Sequence, residues 1–191
     1  MKLVFATNNR HKLEEIKALL NEDIELLNLQ DIEYFDEIIE SGSTLEENAD
    51  IKSSCIWDKF KMNVFSDDTG LEIEALNGEP GVYSARYAGE DCSFDDNMNK
   101  VLANLKKESN RKARFRTIIS LILNGETYHF EGIVDGEILT KKQGEKGFGY
   151  DPIFKANSHS VSFAEMSADE KNQISHRGLA VQKLIEFLNK L

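Results

Sequence analysis

The stretch "ARFRTIISLILNGETYHFEGIVDGEIL", residues 113–139, constrains the fold more than any other. Two β-rich runs meet at Asn124-Gly125, a pair that accepts the positive φ angles of a two-residue type I′ hairpin turn. The chain must therefore contain a long antiparallel pair. Elsewhere, strand patterns alternate with helical ones. "KLVFAT" reads as a buried first strand ending at Asn8-Asn9, and Leu13, Ile16, Leu19 and Leu20 then recur at helical spacing. Residues 24–29 suit a second strand. Thr44, with Glu47 three residues on, opens a helix through Phe60, and Ser93 with Asp96 opens another. "NVFS" and "LEIEAL" read as strands on either side of Asp67-Asp68. A last helix starts after Ser167, with Glu170 in the capping position, and runs on through Gly178 to Leu188. Interleaved strands and helices around an antiparallel hairpin predict an α/β fold on a mixed sheet. There is no repeat, low-complexity tract or Pro/Ser linker, so 1–191 is expected to be a single domain, any second lobe being an elaboration of one core.

Charge narrows the function. With 34 Asp and Glu against 23 Lys and Arg, the net charge is −11, which disfavours nucleic-acid binding. A polyanionic ligand would need locally gathered cations or a divalent metal. Cys55 and Cys92, far apart and outside any C-x-x-C, are expected to be free thiols. No apolar run reaches the roughly 20 residues of a membrane span. The N-terminus lacks the pattern of a signal peptide, so a cytoplasmic protein with no membrane partner is expected.

Several segments carry candidate chemistry. "ATNNRHK" sits at a strand-to-helix turn, where free backbone N–H groups and the helix dipole favour an anion; Thr7, Asn8 and Asn9 add donors and Lys12 a charge. Its simpler reading is Asn8 as helix cap with Arg10 and Lys12 in solvent. Asp67 and Asp68 are adjacent carboxylates that repel unless a cation intervenes, and hard oxygen ligands of this kind suit Mg²⁺. Side chains alternate along a strand, so the two should point to opposite sides. "GEPGVYSARYAG" reads as a shaped loop. In "GEKGFGYDPIF", Gly147 and Gly149 flank Phe148, allowing close backbone approach with an aromatic face for stacking. Lys171, His176 and Arg177 fall near the start of the last helix. The histidines show no spacing for zinc.

Four of these segments, "ATNNRHKLEEI", "SDDTGLEIEALNGEPGVYSARYAG", "GFGYDPIF" and "SADEKNQISHRG", occur in the order and spacing of the inosine triphosphate pyrophosphatase family. The chain resembles that family over essentially its whole length. The resemblance implies an elongated mixed sheet flanked by helices, two lobes with a cleft between them, and usually a homodimer. It also implies a Mg²⁺-dependent reaction in which ITP, dITP or XTP and water give the monophosphate and pyrophosphate. By position in the motifs, Thr7, Asn8, Asn9, Arg10, His11 and Lys12 match the triphosphate turn. Asp68 matches the general base and a metal ligand, Glu40 the second metal carboxylate, and Thr69 a substrate contact. Phe148, Gly149, Tyr150 and Asp151 match the base-stacking loop, completed by Lys171, His176 and Arg177; Lys52 is a further phosphate contact. Ser66 replaces a more usual apolar residue, and Thr69 the commoner Ser. Donors on His176 or Arg177 would accept a 6-oxo purine and oppose the 6-amino group of adenine. A pyrophosphatase for other modified nucleotides is the rival enzyme, opposed by the SHR and GFGYDP segments. A non-catalytic nucleotide sensor would have little use for Glu40, Asp67 and Asp68.

Overall fold

The computed structural model describes residues 1–20 and 23–190. Its strands are β1 (Lys2–Phe5), β2 (Glu25–Leu27), β3 (Val64–Ile73), β4 (Pro80–Gly81), β5 (Lys112–Leu123), β6 (Glu126–Ile138) and β7 (Phe154–Ala156). Its helices are α1 (Arg10–Leu19), α2 (Leu45–Phe60), α3 (Phe94–Asn104), α4 (Ala168–Ile174) and α5 (His176–Leu188). The strands hydrogen-bond in the order β2-β1-β3-β5-β6-β7, with β4 on β3. β1 runs parallel to β2 and β3, whereas β3–β4 and β6–β7 are antiparallel. The mixed α/β sheet is thus the one expected. Asn124 and Gly125 take φ of 52° and 90°, as the I′ turn requires.

Two compact units divide the chain. The first comprises residues 1–68, 117–132 and 177–191; the second comprises 69–116 and 133–176. In the first, strand alternation builds two apolar layers. Leu3, Phe5, Phe65, Ile119 and Leu121 pack with Ile16 of α1 and with Ala180, Val181 and Leu184 of α5. Val4, Ala6, Val64 and Ile122 pack with Ile56 of α2 on the other side. Phe5 and Phe65 are fully buried and stack with centroids 4.6 Å apart; each contributes about 1.5–3 kcal/mol by burial. The second unit has an aromatic core, with Phe115, Phe154 and Phe163 in mutual contact at centroid distances of 4.6–6.2 Å.

Two expectations are corrected. β3 is one unbroken strand, so Asp67 and Asp68 lie within it rather than in a turn between two strands. It tolerates them because alternation turns the carboxylates apart, Asp67 onto Lys12 and Arg177 and Asp68 onto Lys52. The last helix is two helices: Ser175 adopts an extended conformation (φ −71°, ψ 153°) between α4 and α5, while Gly178 stays helical. Helical spacing continues across the break, which is why periodicity did not reveal it. Both thiols are free, as expected.

Candidate functional site

In the first unit the turn after β1 is fixed by its own side chains. Thr7 Oγ1 accepts from Asn9 N at 3.1 Å, and Asn9 Oδ1 accepts from Lys12 N at 3.2 Å. Asn9, not Asn8, therefore caps α1. Asn8 is exposed, and a cavity of about 340 Å³ opens here, lined in part by Thr7, Asn8, Asn9, Asn28 and Gln30. Arg10 pairs with Glu14 on the surface, and His11 is exposed. Lys12 turns inward, its Nζ 2.9 Å from Asp67 Oδ1.

Asp67, 1% exposed, lies between Lys12 and Arg177, whose Nε is 3.1 Å from Asp67 Oδ2. Arg177 also donates through Nη1 to Glu15. Asp68 faces a different set: Asn48 Nδ2 donates to its Oδ2 at 3.3 Å, and Lys52 Nζ lies 3.5 Å from its Oδ1. Lys52 also lies 3.1 Å from Glu40 Oε2. The Glu40 segment is tied in by Asn48, whose Oδ1 accepts from Gly42 N at 2.8 Å. A Cβ at Gly42 would meet that same Oδ1 at 2.6 Å. Ser66 uses its hydroxyl to bind Ala49 O at 2.5 Å, joining β3 to α2.

The neighbouring aspartates consequently titrate in opposite directions. Burial pushes Asp67 up, but Lys12, Arg177 and Lys52 outweigh it and hold the carboxyl well below the usual range. For Asp68, burial prevails over Lys52 and Lys12, with Glu40 and Asp67 adding to the rise. Burial lowers Lys12 despite Asp67. Lys52 is raised, because Asp68, Glu40 and Asp67 overcome its burial. Asp67 is thus held as an anion between two cations, while the Asp68 carboxyl is held above the usual range.

Among the described residues no three His, Cys, Asp or Glu side chains are grouped to hold a metal. Glu40 and Asp68 nevertheless converge on one cation, the Lys52 ammonium. Two hard carboxylates sharing a positive charge suit a divalent ion that draws its other ligands from phosphate oxygens and water.

The second unit holds an aromatic and cationic set. Gly147 and Gly149 have φ of 72° and 64°; a Cβ on Gly147 would lie 2.1 Å from Asp151 Oδ2. That oxygen accepts from Phe148 N at 2.9 Å and from Lys171 Nζ at 2.6 Å. Lys171 lies 5.0 Å from the Phe148 ring centroid. Tyr150 OH donates to Ser84 O at 2.8 Å; burial raises its pKa. His176, 3% exposed, stacks on Phe115 at 4.4 Å and 16°. Thr69 is the first residue of this unit.

The residues expected from sequence therefore fall into two sets. Thr7 to Lys12, Glu40, Lys52, Asp68 and Arg177 belong to the first unit, and Thr69, Phe148 to Asp151, Lys171 and His176 to the second. Arg177 parts from its neighbour His176 and joins the first unit, paired with Asp67 and Glu15. Asn48, Glu15 and Phe115 were not singled out. Asn48 stands one helical turn before Lys52, and Glu15 three residues after Lys12, spacings that could have pointed to them. Nothing local marks Phe115.

The Ham1 family model matches residues 3–187. The chain belongs to the Ham1 family. It is 53% identical over 188 residues to the dITP/XTP pyrophosphatase of Flavobacterium johnsoniae, covering 98% of each chain. Among solved structures it is similar to the Staphylococcus aureus Ham1 protein, with a TM-score of 0.90 and 43% identity over 100% of this chain and 99% of that one. The HAM1 protein of Coxiella burnetii matches with a TM-score of 0.93 and 38% identity, covering 100% of both. The resemblance seen in the four motifs thus extends to the whole fold.

Proposed function

We propose that this protein is a Mg²⁺-dependent pyrophosphatase that hydrolyses non-standard purine nucleoside triphosphates (ITP, dITP and XTP) to the monophosphate and pyrophosphate. The observation that carries this is the divergence of Asp67 and Asp68: one carboxylate is locked between Lys12 and Arg177, and the other is raised and shares a cation with Glu40. The names of relatives such as the Flavobacterium johnsoniae enzyme support the substrate class.

The first unit's residues handle the phosphates. The Thr7–Lys12 turn offers backbone N–H groups and the Lys12 charge to the triphosphate. Asp68 accepts the proton of a water that attacks the α-phosphorus, and the bond to the bridging oxygen breaks to release pyrophosphate. Lys52 and Lys12 neutralise charge developing on the leaving group. Glu40 and Asp68 would hold a Mg²⁺ ion, which would supply Lewis acidity for attack on the α-phosphate. Asp67 touches no substrate; it keeps Lys12 and Arg177 in place.

The second unit's residues read the base. Phe148 gives a stacking face, while Lys171 and His176 bring N–H donors toward a 6-oxo group. Adenine presents an amino donor there, and donor opposed to donor in a buried site discriminates strongly. Arg177, engaged by Asp67 and Glu15, is assigned to the phosphate side. By the same resemblance the enzyme works in the cytoplasm as a homodimer; no described helix is long and apolar enough to cross a membrane.

Phosphorus NMR of ITP and of ATP, each with the protein and Mg²⁺, tests the proposal. Pyrophosphate and IMP from ITP, with ATP nearly untouched and no turnover under chelator, is the expected result. Orthophosphate and IDP would mean attack at the γ-phosphate and refute it. Tight ITP binding without turnover would make the protein a sensor.

A further inference from the structure

Phe94 is an aromatic side chain left 44% exposed at the first position of α3. Its helix does not need it for packing: the residues α3 buries are Asn97, Met98 and Val101. Its backbone is pinned, however. Ser93 Oγ accepts from Asp96 N at 3.2 Å, and Asp96 Oδ2 accepts from Ser93 N at 2.9 Å, a reciprocal cap around Phe94. The next residue, Asp95, holds Lys142 Nζ at 2.5 Å, so α3 begins at a fixed place relative to the segment that leads into the Gly147–Gly149 loop.

From there the Phe94 ring meets Phe148, with centroids 6.0 Å apart and planes inclined by 48°. The Phe148 ring has contacts from outside its own loop. The glycines on either side put no Cβ beside it, and both sit at positive φ. Asp151 holds its backbone N–H, a contact that does not by itself set the torsions of the ring. Lys171 and Phe94 each reach that ring, as a cation at 5.0 Å and as a tilted aromatic. Rings in direct contact at this spacing leave no room for a base between them. Phe94 is therefore not the opposite wall of a sandwich.

We propose that Phe94 is a positioning residue for base recognition, bracing Phe148 in the orientation that receives the purine. This rests on the reading of the protein as a purine nucleotide pyrophosphatase. Because Phe94 acts at the base end alone, its loss weakens nucleotide binding without slowing the cleavage step.

A double-mutant cycle of Phe94→Ala and Phe148→Ala tests this, with steady-state kinetics on ITP and Mg²⁺. Phe94→Ala is expected to raise KM about two- to tenfold, the range an aromatic pair supports, with kcat essentially unchanged. Phe94→Tyr restores the wild-type KM. In the Phe148→Ala background, adding Phe94→Ala has little further effect. Affinity for inorganic tripolyphosphate, which has no base, stays at the wild-type value. An unchanged KM, a KM rise that persists in full without Phe148, or a matching loss of tripolyphosphate affinity would each overturn the role. The proposed reaction fails separately: wild-type protein that releases no IMP and pyrophosphate from ITP refutes it. In that event the same cycle, read by calorimetric ITP binding, still decides whether Phe94 acts through Phe148.

Discussion

The two units solve recognition with opposite materials. The first gathers buried and half-buried charges: Lys12, Asp67, Arg177 and Glu15 in one chain of ion pairs, and Glu40, Lys52 and Asp68 in another. The second relies on rings, with Phe148 beside Lys171 and His176 stacked on Phe115, and includes the buried ion pair Lys171–Asp151. Under the proposed function, a chain of net charge −11 binds a polyanion through cations gathered locally in the first unit, each set beside a carboxylate. The base-reading role proposed for the second unit asks only for shape, stacking and a few donors.

The sharpest break in that comparison should come within one strand. Asp68→Asn removes the proposed base and metal ligand, and kcat for ITP should fall about 10²–10⁴-fold, with thermal unfolding essentially unmoved. Its neighbour should behave differently. Asp67→Asn leaves Lys12 and Arg177 buried without their shared anion, and urea unfolding should show a loss of about 3–5 kcal/mol. If the two variants proved equally stable, the assignment of one aspartate to structure and the other to chemistry would be wrong.

Smaller changes probe the supports. Gly42→Ala places a Cβ against Asn48, which holds the Glu40 segment beside Asp68. Displacing a group that orients metal ligands should lower activity about 10–100-fold, accompanied by a higher Mg²⁺ requirement in a metal titration. Gly147→Ala forces a Cβ into Asp151 at positive φ. Strain of about 1–3 kcal/mol in the loop should raise KM for ITP roughly tenfold and leave kcat nearly intact. An equal fall in kcat would put this loop in the phosphate chemistry instead.

The same contrast explains what was legible in the sequence. The hairpin, the three capped helices and the opposed directions of Asp67 and Asp68 follow from local rules of turn chemistry, capping and strand alternation, and the structure has all of them. The break at Ser175 was hidden because apolar spacing runs through it. The strand that carries both aspartates reads as two in the sequence, since like charges argue against a strand until their cations are known, and Lys12, Arg177 and Lys52 lie 16 to 110 residues away from them. The division between His176 and Arg177 was equally invisible: adjacent residues look like one site, and only tertiary pairing with Asp67 and Glu15 draws the arginine away.

The most direct test of the split is the ratio of kcat/KM for ITP to that for ATP, measured in Asp68→Asn and in His176→Ala. Asp68→Asn should slow both substrates by the same factor and leave the ratio at its wild-type value. His176→Ala should collapse the ratio, mainly by weakening ITP, while kcat stays close to wild type. A ratio that shifts in Asp68→Asn, or survives intact in His176→Ala, would contradict the division of phosphate chemistry and base reading between the two units.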